Sequence, residues 1–270
     1  NIWILVFFRI EVEMAGKLYL CATPIGNLED ITYRVVRTLN EVDLIGAEDT
    51  RNSIKLLNHF DIKTPMTSYH EFNKYDKAKQ LVEMMKEGKN IAIITDPGEE
   101  VVRQCFEAGI QVTSLPGPAA CITALTMSGQ KTRRFCFEAF LPKDKKEKVA
   151  VLEELKNETR TIIIYEAPHR LARTLKELRE TLGNRQLTLC RELTKKYEEA
   201  NKTTIDRAIE KYNEKEPRGE YVLVIEGKSQ EEIQEENKQK WESMTIEEHM
   251  EYYISQGNDK KSAMKLVAKD

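Results

Sequence analysis

Along the first half of the chain, short apolar runs alternate with longer stretches in which apolar positions recur at helical spacing. Leu18-Tyr19-Leu20-Cys21 reads as a buried strand, a polar loop with Pro24 and Gly26-Asn27 follows, and Leu28, Ile31, Val35, Val36 and Leu39 then mark a helix running to Val42. The unit repeats. Leu44–Ala47 meets Glu48-Asp49-Thr50-Arg51 and a helix with Ile54, Leu56, Leu57 and Phe60, and a strand around Met66–Tyr69 ends in His70-Glu71 before a helix that Gly88 closes. Ile91–Thr95 meets Asp96-Pro97-Gly98, and Ile110–Leu115 reaches Pro116-Gly117-Pro118 ahead of a small-residue helix, Ala119–Met127. Five strands with helical crossovers predict a parallel, doubly wound sheet. Loops at the carboxyl ends of such strands are where small molecules bind, and Gly26-Asn27 lets a backbone approach a ligand closely. An ordinary strand-to-helix turn remains the alternative for so short a motif.

The second half has another rhythm. Strands are expected at Phe135–Phe140, Thr161–Tyr165, Leu187–Cys190, Glu199–Thr203 and Tyr221–Ile225, with no helix ahead of Glu199. An antiparallel pair of Leu187–Cys190 with Glu199–Thr203 follows, and hence a mixed sheet. The fold class is therefore α/β, with two α/β domains at 14–117 and 118–227. A basic loop, Pro142–Lys148, interrupts the second. Residues 228–270 are expected to form a charged linker or exposed helix, then two short helices, Thr245–Ser255 and Lys260–Lys269, as the start of a helix-turn-helix module. So small a pair cannot bury enough surface alone, so the intact protein is expected to continue past Asp270. Residues 1–13, apolar from Ile2 to Phe8 but far short of the ~20 residues of a membrane span, are read as an upstream extension or an added edge strand.

Composition narrows the function. Of 270 residues, 42 are Lys or Arg and 45 Asp or Glu, a net charge of −3, so a nucleic-acid partner must be met by a local basic patch. The five cysteines, Cys21, Cys105, Cys121, Cys136 and Cys190, are widely spaced within apolar runs and suit reduced thiols in a cytoplasm. Neither they nor His59, His70, His169 and His249 show metal-ligand spacing, so no metal is expected, and the short apolar start of the chain implies no membrane role.

Six loops, taken together, carry a resemblance: Ala22-Thr23-Pro24-Ile25-Gly26-Asn27-Leu28-Glu29-Asp30, Ala47-Glu48-Asp49-Thr50-Arg51, Ser68-Tyr69-His70-Glu71, Pro116-Gly117-Pro118-Ala119-Ala120, Tyr165-Glu166-Ala167-Pro168-His169-Arg170 and Arg191-Glu192-Leu193-Thr194-Lys195. From Met14 onward the chain resembles the tetrapyrrole-methylase-like S-adenosylmethionine transferases, in particular the branch that methylates ribose on small-subunit ribosomal RNA. The resemblance implies a methyl donor, S-adenosylmethionine, held in a cleft between the two domains, usually in a homodimer. It implies donor contacts at Pro24, Gly26, Asp96, Ala119, Ala120, Tyr165, Glu166 and Leu193, and a cytidine 2′-hydroxyl within an assembled ribosomal particle as target. In one place the chain departs from the pattern: Thr95-Asp96-Pro97-Gly98 is shorter by roughly eight residues, and functional lids are commonly the segments that vary. Asp96 aligns with either aspartate of the longer loop, and a true loss of the loop would put donor binding in doubt.

Methyl transfer from a sulfonium mainly needs the nucleophile held in line. A ribose hydroxyl is a weak acid, so a positioned carboxylate or amine would help, by roughly 10² to 10⁴. Glu48, Asp49, Arg51, Glu192 and Lys195, at strand ends, are the candidate catalytic groups, with helix capping and surface ion pairing as the alternative for each. His169 stands equally open as the first turn of a helix. Arg133, Arg134 and Lys143–Lys148 would form a phosphate-contacting rim, or else a solvated charged loop. A catalytically inactive RNA-binding or assembly protein of the same fold is the alternative function. A porphyrinoid methylase is disfavoured because its first loop is richer in glycine.

Overall fold

The computed structural model describes residues 15–94, 98–242 and 244–269, without the side chains of Asn237 and Lys240. The expected extension at 1–13 and the candidate Asp96 lie outside the described residues. Two compact units divide between Ala120 and Cys121.

The first unit runs β1 (Lys17–Cys21), α1 (Tyr33–Glu41), β2 (Leu44–Ala47), α2 (Thr50–His59), β3 (Met66–Ser68), α3 (Lys74–Lys86), β4 (Ile91–Ile93), α4 (Glu99–Glu107) and β5 (Gln111–Leu115). Its sheet is parallel throughout, in the order β3-β2-β4-β1-β5. Side chains alternate between two cores. Leu18, Ile91 and Ile93 pack with Leu81, Met85, Val101 and Cys105 of α3 and α4, whereas Cys21, Ala92 and Ile45 pack with Val35, Leu39 and Leu57 of α1 and α2. The helix expected over Leu28–Val42 is broken: a 3₁₀ turn occupies Leu28–Asp30, and Thr32, whose hydroxyl accepts from the Val35 N–H, starts α1 anew.

α5 (Ala120–Ser128) opens the way to the second unit, which continues β6 (Phe135–Phe140), α6 (Lys145–Leu155), β7 (Thr161–Glu166), α7 (Pro168–Leu182), β8 (Gln186–Arg191), β9 (Glu199–Thr204), α8 (Ile205–Glu214) and β10 (Tyr221–Ile225). The sheet order is β6-β7-β10-β8-β9; β6 and β7 are parallel, and every other pairing is antiparallel. The expected antiparallel pair is present, Leu187 opposite Thr203 and Cys190 opposite Ala200. Ile162, Ile164, Leu187, Leu189 and Leu223 meet Leu171, Leu175 and Leu178 of α7 in one core. Burial pushes the Cys21 thiol up to about 12 and Cys190 to about 11, which keeps both protonated at neutral pH.

One expectation is corrected here. Pro142–Lys148 is not a loop throughout, because Asp144 accepts from the N–H groups of Lys146 and Glu147 and begins α6 at Lys145. Of the two readings of the charged tail after Lys228, the helix is the one observed. The tail forms α9 (Gln230–Glu242), ahead of α10 (Ile246–Ser255) and α11 (Lys260–Val267). Lys228 is buried and bonds Asn157 at 2.9 Å and Glu236, while the Trp241 ring stacks on His249 at 4.0 Å, so α10 receives an aromatic partner from upstream. Among the described residues no helix is long and apolar enough to cross a membrane.

Candidate active site

In the first unit, topology marks the site. β1 leads through α1 to β2 on one side, and the neighbouring β4 leads through α4 to β5 on the other, with α1 and α4 on opposite faces. A crevice at the carboxyl ends of β1 and β4 follows, the switch point at which open α/β sheets bind ligands. Pro24 lies half-buried and Gly26 exposed in the loop after β1. A Cβ on Gly117 would lie 2.7 Å from the Ala22 Cβ, so only glycine allows the loop after β5 to close on the loop after β1. Ala119 and Ala120, both half-buried, follow at once. Two buried polar atoms at this end, Asp30 Oδ2 and His70 Nδ1, have no hydrogen-bond partner. Asp30 and His70 lay inside quoted motifs, but composition alone gave them no role.

Of the acidic cluster after β2, Asp49 is a helix cap. Its Oδ1 accepts from the N–H groups of Arg51 at 2.9 Å and Asn52 at 3.2 Å, and its Oδ2 from the Asn52 amide at 2.8 Å. The Arg51 side chain is 95% exposed, 3.9 Å from that same carboxylate. Glu48 is exposed at the strand end. Asp49→Ala should therefore cost about 1 kcal/mol of stability and leave turnover per folded molecule unchanged. Thermal melts run beside activity assays on the same samples decide this, and a large drop in turnover with an unchanged melt would restore Asp49 as a reacting group.

In the second unit the carboxyl ends of β6, β7 and β8 share one edge of the sheet. Tyr221 at the start of β10 stands between Glu166 and Arg191, which fixes the row. Neighbouring residues of a strand face opposite ways, and Tyr165 and Glu166 part here. The Tyr165 hydroxyl accepts the Cys121 N–H at 2.9 Å, and its ring meets Phe137 and Phe140 edge-on at 4.9 and 5.6 Å. Glu166 turns inward, 1% exposed, and accepts from the Ala167 N–H at 2.8 Å and the Thr174 hydroxyl at 2.5 Å, with the Arg170 Nε at 3.3 Å. Its carboxylate is thus engaged in holding α7. His169 is exposed in the first turn of that helix.

Beyond β8 the chain is bent sharply. Glu192 and Thr194 have φ of 50° and 65°, with buried Leu193 between them. Glu192 Oε1 accepts from the Glu220 N–H at 2.9 Å and from Lys195 Nζ at 3.1 Å, and Lys195 Nζ also reaches Glu220 Oε2 at 2.7 Å. Gly219, at φ 80°, is required: a Cβ there would lie 2.6 Å from the Glu192 side chain. The Glu220 N–H, together with Lys195, holds the Glu192 carboxyl below the usual carboxylate range. Burial pulls the Lys195 ammonium down, but its bonds to Glu220 and Glu192 outweigh this and leave it raised. Neither group is poised as a proton acceptor near neutral pH; Lys195 is a fixed cation. Glu220 belongs to no motif quoted above, and the turn Pro217-Arg218-Gly219 just ahead of it was the available signal. Lys148, expected on an RNA-facing rim, is instead 6% exposed and paired with Glu177 at 2.7 Å, which leaves Lys143, Lys145 and Lys146 exposed. Among the described residues no three His, Cys, Asp or Glu side chains gather as metal ligands.

Residues 17–209 match the model of the tetrapyrrole (corrin/porphyrin) methylases. The chain is 49% identical over 263 residues to "Ribosomal RNA small subunit methyltransferase I" of Bacillus subtilis (strain 168), covering 94% of this chain and 90% of that one. With the protein of the same name from Thermotoga maritima it shares 42% over 221 residues, covering 79% and 99%. Among solved structures, a diphthine synthase aligns with a TM-score of 0.62 at 11% identity over 78% of this chain and 90% of that one. A cobalt precorrin-4 methyltransferase aligns with a TM-score of 0.56 at 17% identity over 78% and 95%. These two likenesses show a common fold, and the family match over most of the chain makes it a member of the tetrapyrrole methylase family.

Proposed function

We propose that the protein transfers a methyl group from S-adenosylmethionine to the 2′-hydroxyl of a cytidine ribose in the decoding region of small-subunit ribosomal RNA. It acts as a cytoplasmic homodimer on the assembled particle. The observation that carries this reading is the 49% identity to a small-subunit ribosomal RNA methyltransferase, spread over 90% of that protein.

The residues present suit the donor. Phe137 and Phe140 are exposed large apolar side chains packed against Tyr165, a surface that accepts an adenine face or a sulfonium. Pro24, Gly26, Ala119 and Ala120 in the first unit and Leu193 in the second are the further donor contacts of this reading, each small or apolar. S-adenosylmethionine supplies an electrophilic methyl group, so the new bond forms from the ribose oxygen as the sulfur–carbon bond breaks and its electron pair returns to sulfur. The protein's part is to hold the hydroxyl in line and ease loss of its proton. On this reading the Lys195 ammonium, fixed by Glu192 and Glu220, favours negative charge on that oxygen as its proton leaves to a carboxylate or to water.

The test uses small ribosomal subunits from cells lacking this protein. Incubated with the protein and S-adenosylmethionine, they should gain one 2′-O-methylcytidine, located by nuclease digestion and mass spectrometry. Calorimetry should show donor binding. No heat with the donor or its demethylated product, and no methyl gained, would end the transferase reading.

A further inference from the structure

The carboxyl-terminal edge of the second sheet holds Tyr165 and Lys195. At the opposite edge, where β6 and β7 begin, is a cavity of about 220 Å³ lined by Lys131, Arg133, Arg134, Thr159, Arg160 and Thr161. Building on the RNA-methylation reading, we infer that Lys131, Arg133 and Arg134 form a second anchoring site there for the phosphodiester backbone of the substrate RNA.

Local structure explains why these side chains converge. The backbone bends at Arg133–Arg134 just before β6, so that two consecutive side chains line one cavity instead of pointing apart. The Thr161 hydroxyl donates to the Lys131 carbonyl at 2.7 Å and pins this segment to the start of β7. The charges are unequal in availability. Arg160 is gripped by Glu158 through bonds of 2.9 and 2.5 Å, which neutralises it and makes it a wall of the cavity. Lys131, Arg133 and Arg134 are exposed, and none of them has an ion pair with a described residue. Glu138 acts on Arg160 from the same side, and Glu226 and Glu231 line an adjoining hollow shared with Lys131. Of these three carboxylates none lines the cavity itself, so Lys131, Arg133 and Arg134 are the charges it presents, on a chain whose net charge is −3.

Two adjacent guanidinium forks beside a lysine point charge match the oxygens of a phosphodiester, where bidentate, charge-assisted hydrogen bonds are strongest. Spacing adds a second argument. Five residues of strand separate Arg160 from Tyr165, about 17 Å at the rise of a β-strand. A small substrate cannot touch both edges. A folded RNA can, and the two contacts together would select for an assembled particle over a short oligonucleotide.

The experiment measures binding and methylation of small ribosomal subunits from cells lacking the protein, with wild type, Arg133→Gln/Arg134→Gln and Lys131→Ala. These side chains are exposed, so the variants should fold, and an unchanged donor affinity by calorimetry confirms it. Each phosphate contact contributes about 0.7 to 0.9 to the slope of log affinity against log salt. The double variant should therefore show a slope shallower by about 1.4 to 1.8 between roughly 50 and 200 mM salt, and a raised KM for the particle. Lys131→Ala should show about half that change. Inorganic phosphate serves as the second probe: if the double variant loses phosphate binding while its KM for the particle is unchanged, the cavity is a small-anion site and the inference is overturned. A wild-type protein that methylates the particle, with variants indistinguishable from it, overturns the anchoring site alone. A wild-type protein that neither binds nor methylates the particle overturns both readings.

Discussion

Replacement of Glu166 by alanine is expected to destabilise the second unit by about 3 kcal/mol, the lower end of the range for breaking a buried ion pair. The loss leaves the Thr174 hydroxyl, the Ala167 N–H and the Arg170 guanidinium without their acceptor at a site where the Glu166 side chain is 0% and that of Arg170 21% exposed. Arg170 also donates to the Leu141 carbonyl at 3.0 Å, so the loop after β6 should loosen with α7. Glu166→Gln keeps two of the three hydrogen-bonding opportunities and should lose less. Urea unfolding followed by circular dichroism checks the order; an alanine variant within 1 kcal/mol of wild type would show that the network does not hold the helix.

The second large effect is on rate. Lys195→Ala should lower kcat by about 10² or more while donor affinity stays near wild type, the pattern of an interaction made in the transition state. The linked pKa shifts fix its pH profile. Glu192 is lowered, so its contribution is present above its ordinary range near ~4.3 and fades only as pH falls through the folded value; Lys195 is raised, so its contribution persists below ~10.4 and is lost as pH rises through its folded value. The Glu192–Lys195 pair is therefore constant across neutral pH, and its loss should appear as a fall in rate on the alkaline side. Near-normal turnover of Lys195→Ala under single-turnover conditions would remove Lys195 from the mechanism.

Much of this was readable in advance because parallel strands buried on both faces must be apolar runs. Ile91, Ala92 and Ile93 are fully buried, and their run alone marks β4. β9 was legible for another reason, the lack of a helix between it and β8, although its residues are largely polar. What stayed hidden was direction. A motif gives Tyr165 and Glu166 as one unit, yet strand alternation sends one to the aromatic edge and the other into the support of α7, and only the pairing with Val222 and Tyr221 decides which. The start of α6 was present in Asp144-Lys145-Lys146-Glu147, a capping pattern outweighed by its lysines. Glu220 could not be found from spacing, since it meets Lys195 only because β10 returns beside β8.

With Lys195 in its proposed role, the bend after β8 sets heat resistance against turnover. Backbones of non-glycine residues in the left-handed region are held at a cost of order 1 to 3 kcal/mol each, and Thr194, branched at Cβ, is among the residues least suited to it. Adaptation toward heat resistance alone would drift position 194 toward asparagine or glycine and free the loop, at the expense of the alignment that presents Lys195. A laboratory lineage evolved only for survival at high temperature is therefore expected to change position 194 and, with Lys195 in its proposed role, to lose rate.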